Sequence, residues 1–240
     1  MALLTRRISL IITLLLAVWT NLAAQKTGKI NIEKPDLEAI KEATLDPSSP
    51  YYYPKLMKEF QRNDTLMKLD KYRHLYLGTM YQEDYNPYRS SERALNYEAT
   101  LHKSKQLTRQ ECDSVIAYAE LALADNPFNL GEMVMLINAL RGKEKFHLAN
   151  IWQYKLNNLL MAIVSTGTGT DEENAWFVIE PQHEYVLLNM MDFIVSDHVF
   201  YDPCYEYITV KDAAGKDAGG YYFNIGPLLQ EYYRKHPDEL

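Results

Sequence analysis

The sequence predicts a mainly α-helical fold in which helical hairpins are followed by a small α+β part with an antiparallel β-hairpin. Two observations lead to this fold class. From residue 51 to 166, apolar residues recur at helical spacing between proline and asparagine breaks. From residue 167 to 240, aromatic and β-branched runs alternate with glycine-containing turns. The hydrophobic content of 47% is ordinary for a globular protein and excludes a disordered or collagen-like chain.

The first 24 residues predict a secretory signal peptide. Arg6 and Arg7 precede an apolar run over residues 8–18 that is too short to span a membrane, and Ala24 offers a cleavage site before Gln25. The alternative is an uncleaved N-terminal anchor. We therefore expect an exported protein, periplasmic or extracellular, whose mature chain begins at Gln25 and contains no transmembrane helix.

Residues 25–50 predict a tether and one short helix that follows Pro35-Asp36 and ends at Asp46-Pro47. Residues 51–166 predict the helical body. Its helices are expected to begin at Pro54, Leu69, Ser91, Thr108, Asn129 and Lys145. Thr108 with Glu111 has the pattern of a capping box, and Asn129 is followed by an acidic residue at the same spacing.

Residues 167–240 predict the α+β part. The Gly167-Thr-Gly-Thr-Asp171 segment predicts a turn after a helix, because it lacks the lysine of a phosphate-binding loop. The remaining elements are expected to be a strand over 175–179, a helix over 184–195, two antiparallel strands over 204–210 and 220–225, and a helix from Pro227.

Small and aromatic residues in the helical body indicate tetratricopeptide-like helical hairpins. Leu77-Gly78 with Tyr81 matches part of the first helix of such a repeat, and Ala122 with Pro127 matches the end of the second. Gly78 is expected to let neighbouring helices approach closely. Generic helix packing is the alternative, since no strict period of about 34 residues continues.

Charge and cysteine content narrow the functional classes. A net charge of −7, from 25 basic and 32 acidic residues, argues against a nucleic-acid binder. Removal of Arg6 and Arg7 with the leader makes the chain more acidic. In an oxidising compartment Cys112 and Cys204 are candidates for one disulfide, and two buried free thiols are the alternative.

Tyrosine is concentrated in one segment, because nine of the 19 tyrosines lie between Tyr51 and Tyr97. A tyrosine offers a flat apolar face and one hydroxyl, which suits binding grooves. The candidate binding surface consists of Tyr52, Tyr85, Asn86 and Tyr88. The alternative is that these residues form a turn with packed rings.

A second candidate site is a local grouping of histidines and carboxylates, which consists of His183, Glu184, Asp197, His198 and Asp202. If these side chains converge in a cleft, they offer a metal site or an acid–base pair. The alternative is ordinary polar positions. The chain contains no zinc-protease helix motif, nucleophile elbow or Walker loop, so we expect no catalytic residues, no metal ligands and no cofactor.

Short motifs along most of the predicted mature chain resemble an uncharacterised family of secreted proteins from Gram-negative anaerobes, defined by a domain of unknown function. The resemblance rests on seven segments, Ser49-Pro-Tyr-Tyr-Tyr-Pro-Lys-Leu-Met57, Tyr72-Arg-His-Leu-Tyr-Leu-Gly78, Tyr85-Asn-Pro-Tyr88, Asn126-Pro-Phe-Asn129, Thr166-Gly-Thr-Gly169, His183-Glu-Tyr185 and Tyr222-Phe-Asn-Ile225. It implies export and one shared architecture. The turn at Gly167 departs from the acidic form typical of that family, which argues against ion binding there. No known activity or catalytic residue comes with the resemblance.

Two hypotheses about function follow. The leading one is a non-enzymatic binding or interaction module of the cell envelope with a protein or peptide partner. The alternative is a hydrolase or metal-dependent enzyme that acts on envelope polymers. A structural subunit of a larger assembly is a third reading.

Overall fold

Eight α-helices and a four-stranded sheet occur within residues 31–89 and 107–239, the part of the chain that the computed structural model describes. The helices are α1 (Leu37–Leu45), α2 (Tyr53–Gln61), α3 (Leu69–Gly78), α4 (Arg109–Asp125), α5 (Leu130–Gly142), α6 (Phe146–Val164), α7 (Gln182–Met190) and α8 (Gly226–Lys235). The strands are β1 (Trp176–Phe177), β2 (Ile194–Tyr201), β3 (Tyr205–Lys211) and β4 (Asp217–Asn224). The predicted leader and the helix expected from Ser91 lie outside the described residues.

Local capping explains where several helices begin. Asp36 caps α1 by accepting a hydrogen bond from the Ala39 N–H at 3.0 Å. At α4 the predicted capping box is confirmed, because the Thr108 N–H donates to the Glu111 carboxylate and the Glu111 N–H donates to the Thr108 hydroxyl. Asn129 caps α5 with its side chain alone, which accepts a hydrogen bond from the Glu132 N–H at 3.0 Å.

The helical body is held together by packing between neighbouring helices. The helices α4, α5 and α6 pack in succession, α3 lies against α6, and α1 lies against α3. The close approach expected at Gly78 occurs, since a Cβ atom at this position would lie 2.6 Å from the Thr44 side chain on α1. This glycine therefore sets the distance between α1 and α3.

The sheet is mixed, in the strand order β1-β4-β3-β2. The predicted antiparallel hairpin is confirmed between β3 and β4, where Ile208 pairs with Tyr221. The sheet as a whole is not purely antiparallel, because β1 pairs in parallel with β4 through Trp176 and Phe223. The strand expected over 175–179 is only two residues long.

The predicted helix over 184–195 is wrong beyond Met190. The helix ends there, and Asp192 adopts a left-handed backbone conformation with φ of 63°, which turns the chain into strand β2. Strand β2 pairs antiparallel with β3 and lies at one end of the sheet. Its sequence is rich in β-branched and aromatic residues, which favour a strand.

One hydrophobic core includes residues of both the helical body and the C-terminal part. Trp176 belongs to this core, and its ring lies over Gly169. Gly169 has φ of +69°, and the ring leaves no room for a Cβ atom at this position. The indole N–H of Trp176 donates to the Gly167 carbonyl at 3.0 Å. The glycine turn thus supports a core tryptophan. Within the described residues, we find no helix with the length and apolar character required to cross a membrane.

Candidate functional site

A buried polar network lies where α7 begins. The His183 ring is 1% exposed, and its Nδ1 lies 2.7 Å from the Tyr76 hydroxyl. The other ring nitrogen, Nε2, lies 2.9 Å from the Phe128 carbonyl. The Tyr76 hydroxyl also accepts a hydrogen bond from the Ile179 N–H. The network therefore joins α3 to the segment that leads into α7.

These contacts fix the tautomer of His183. Because a carbonyl oxygen only accepts, Nε2 carries the proton and donates it to Phe128, while Nδ1 accepts from Tyr76. Burial lowers the pKa of His183 to about 3, so the ring is neutral at pH 7. Burial also raises the pKa of Tyr76 well above its ordinary range. Both groups act here as fixed hydrogen-bonding partners.

Glu180 lies beside this network at 7% exposure. One of its carboxylate oxygens accepts a hydrogen bond from the Asn126 amide at 2.8 Å, and the other lies 3.5 Å from Nε2 of His183. Burial raises the pKa of Glu180 to about 7. At neutral pH this carboxyl group is therefore near its midpoint of titration.

A second array connects α7 to the sheet. Glu184 is 0% exposed, and within the described residues neither of its carboxyl oxygens has a hydrogen-bond partner. The carboxyl group of Glu206 on β3 lies near enough to influence its protonation. Glu206 lies 3.2 Å from Nε2 of His198 on β2. Burial raises the pKa of Glu184 well above its ordinary range, and its contact with Glu206 raises it further. Burial and the neighbouring carboxyl group therefore both favour the protonated form of Glu184.

The structure brings only some of the predicted histidine and carboxylate residues together. His183 and Glu184 are buried on α7, whereas His198 lies on β2, where its contact is with Glu206. Asp197 is exposed and accepts from its neighbour's N–H, while Asp202 is exposed in the turn between β2 and β3. In the ranges described, no group of three His, Cys, Asp or Glu side chains is arranged to hold a metal ion.

The predicted tyrosine surface is divided between core and solvent. Tyr85 is 6% exposed and donates its hydroxyl proton to the Ile179 carbonyl at 2.6 Å, so its ring is unavailable to a ligand. Tyr52 is half-buried. Asn86 accepts a hydrogen bond from the Tyr88 N–H, which forms a turn, and Tyr88 is 50% exposed with its ring 5.0 Å from that of Tyr232.

Cys112 and Cys204 are both free thiols. Cys112 is buried, and its sulfur lies so close to Gly142 that a Cβ atom there would be 2.8 Å away. Cys204 is half-buried beside Gly226. Burial raises the pKa of the Cys204 thiol. A raised pKa disfavours the thiolate form that a nucleophilic cysteine needs.

The largest group of exposed apolar side chains on the sheet lies along β2. We define the edge surface as Ile194, Val199, Phe200 and Tyr201 of β2 together with Tyr185 of α7. Their exposed fractions are 53%, 39%, 48%, 42% and 37%, respectively. Among the strands described, β2 pairs with β3 alone, so its other side is a free strand edge. Exposed apolar groups on a free edge are typical of an interaction site.

Sequence reasoning missed the edge surface and the partners of the buried histidine. The sequence does contain a signal for the edge surface, since Val199-Phe-Tyr201 is a run of β-branched and aromatic residues, which is typical of a strand. The sequence contains no signal for the contact with Tyr76, because Tyr76 lies 107 residues from His183 in the chain, whereas Glu180 lies only three residues before His183. Such a distant pairing follows only from the tertiary fold.

Comparison with known proteins places the chain in a family. No curated protein and no solved structure matches it. Residues 38–234 match the family described as Domain of unknown function (DUF4919), and they include every helix of the described fold except the first residue of α1 and the last of α8. The chain therefore belongs to the DUF4919 family of domains of unknown function.

Proposed function

We propose that this protein is an exported, non-enzymatic binding module of the cell envelope that holds a protein partner through the edge surface. The observation that carries the proposal is the run Val199-Phe-Tyr201, in which three successive apolar side chains are 39%, 48% and 42% exposed on a free strand edge. Solvent-facing edge strands are ordinarily protected by charge, proline or a covering element. The exposed Asp197 and the bulge beside it protect the first part of β2, but residues 199–201 contain no charge or proline, and their exposed apolar side chains are best explained by a partner.

The polar groups favour binding over catalysis. His183 and Glu184 are almost fully buried, and the His183 ring is held by the Tyr76 hydroxyl. An acid–base residue has to come within hydrogen-bond reach of its substrate, whereas His183 is 1% and Glu184 0% exposed. The two side chains therefore do not form an acid–base pair that a substrate can reach.

Export and the tetratricopeptide-like scaffold are the other two parts of the proposal, and they are supported by the sequence and by the packing of the helices. The basic, apolar and small-residue pattern of residues 1–24 supports export to the periplasm or the cell exterior. The succession of α4, α5 and α6, with the close helix contact at Gly78, supports tetratricopeptide-like hairpins as the scaffold. In this arrangement the helical body carries the sheet and presents its edge.

Affinity capture from the native envelope tests this proposal. Tagged full-length protein is compared with V199K, which places a charge in the edge surface, and with L121K, a matched control at a 52% exposed leucine on α4. We expect one protein partner to be recovered with the original chain and with L121K, and to be lost with V199K. Recovery that is equal for all three proteins would contradict the proposal.

A further inference from the structure

Strand β2 is poised to accept a further strand along its free edge. The N–H of His198 donates to the side-chain carboxylate of Asp197 at 2.9 Å. A bulge between Val195 and Asp197 interrupts the pairing with β3, whereas residues 197–201 pair regularly. The regular segment is therefore the part of the edge that a second chain can extend.

The two faces of this segment differ in chemistry. Asp197 pairs with Thr209, and Val199 with Tyr207, so Asp197, Val199 and Tyr201 share the outer face. His198 and Phe200 lie on the opposite face, where Tyr185 of α7 contacts the His198 ring at 6.4 Å between centroids. A chain that adds to β2 meets an acidic, partly apolar face on one side and an aromatic face on the other.

The exposed charges beside the free edge of β2 indicate which kind of chain can bind there. Asp192, Asp197 and Asp202 are all exposed and flank or lie within β2. None of the ion pairs formed among the described residues uses any of them. A second copy of this protein is a poor occupant, because it would place the same aspartates against one another on chains of net charge −7. A basic chain complements the edge.

We infer that the occupant is an extended segment with alternating basic and apolar residues, which adds to β2 as a fifth strand. Its carbonyl group replaces the Asp197 carboxylate as the acceptor for the His198 N–H. The released carboxylate then binds a lysine or arginine side chain on the outer face. The apolar side chains of the segment pack against Phe200 and Tyr185. This inference rests on the proposed function and names the chemistry of the partner.

A set of nine-residue fluorescent peptides tests the inference by titration into the full chain. An alternating lysine–valine peptide is expected to bind at least about tenfold more tightly than the glutamate–valine peptide of the same length. N-methylation of alternate residues leaves the side chains in place but removes the strand-pairing N–H groups. One of the two N-methylated forms is therefore expected to lose at least about tenfold in affinity.

Two substitutions locate the binding on β2. D197N is expected to weaken binding of the lysine–valine peptide about fivefold, and D125N, at an exposed aspartate on α4, is expected to leave it unchanged. Equal binding of the acidic peptide, or full binding of both N-methylated forms, would overturn the inference. The inference would also be overturned if sedimentation showed a dimer that V199K abolishes. Binding to vesicles of phosphatidylglycerol and phosphatidylethanolamine that V199K abolishes would overturn it as well.

The two proposals fail in different ways. If a partner is captured through Val199 but no peptide binds, strand addition by a basic segment is wrong and the binding module stands. If neither capture nor peptide binding depends on the edge surface, both proposals are wrong.

Discussion

Tyr76 satisfies two buried polar atoms with one hydroxyl, the Nδ1 of His183 and the N–H of Ile179. Replacement by phenylalanine keeps the ring and leaves both atoms without a partner. We expect Y76F to lower the free energy of unfolding by about 3 kcal/mol, measured by urea denaturation. Y154F is the control, because the Tyr154 hydroxyl bonds the Thr65 carbonyl at an exposed position and its loss is expected to cost less than about 1 kcal/mol. Equal losses would contradict the assigned network.

Glu180 makes the stability of the protein depend on pH. Its pKa rises from an ordinary value of 4.5 to about 7 on folding, so the folded state holds the proton more tightly. The stability associated with this proton is present below pH 4.5 and is lost as the pH rises to about 7. His183 has the opposite sign, because its lowered pKa costs stability as the pH falls from 6.5 towards about 3.

We therefore expect E180Q to abolish the loss of stability that Glu180 causes as the pH rises. The contribution of His183 to the stability is expected to be the same in both proteins. Relative to the original chain, the variant gains about 3 kcal/mol of unfolding free energy between pH 4.5 and pH 8. Denaturation curves at the two pH values measure this difference. E120Q, at an exposed glutamate of α4, is expected to show no such change. A pH-independent difference for E180Q would show that Glu180 titrates normally.

Side-chain hydrogen bonds could be predicted from the sequence only where both partners lie close together in the chain. The Thr108 and Glu111 capping box was predictable, because both partners lie within one turn of helix. His183 and Glu184 were recognisable as a polar pair, but their burial and protonation depend on Tyr76 and Glu206, which the fold brings from distant segments. The sequence contains no short-range pattern for such contacts.

At the scale of elements, the contact between α1 and α3 depends on the missing side chain of Gly78. We expect G78A to lower the free energy of unfolding by about 2 kcal/mol, because the new methyl group would overlap Thr44. G131A is the matched control near the start of α5, where a Cβ atom meets only the Asn129 side chain at 3.4 Å. It is expected to be neutral or to stabilise the helix by up to about 1 kcal/mol. Thermal unfolding of both variants decides between these outcomes.

Elements with clear termini were predictable, and β2 was not. The proline at the start of α8 and the asparagine cap of α5 mark their helices in the sequence. Residues 182–195 combine apolar residues at spacings that suit a continued helix, and the turn at Asp192 has no glycine or proline to mark it. Strand β2 is stabilised by its pairing with β3, which is a tertiary effect.

At the scale of the whole molecule, the fold class follows from hydrophobic periodicity, while the parallel pairing of β1 with β4 does not. Two residues of β1 give too short a pattern to show its partner. The export proposal belongs to this scale as well. We expect the N-terminus of protein purified from its native host to be Gln25, measured by mass spectrometry of the intact chain. An intact Met1 with the apolar segment retained would favour the anchor.

The central claim is that a partner occupies the edge surface. A photo-crosslinking amino acid placed at position 199 in the native host reports directly on what touches β2, and the same group at position 121 is the control, since Leu121 is similarly exposed on α4. We predict one discrete cross-linked protein species from position 199 and none from position 121. The absence of any species from position 199, or the same species from both positions, would contradict the account.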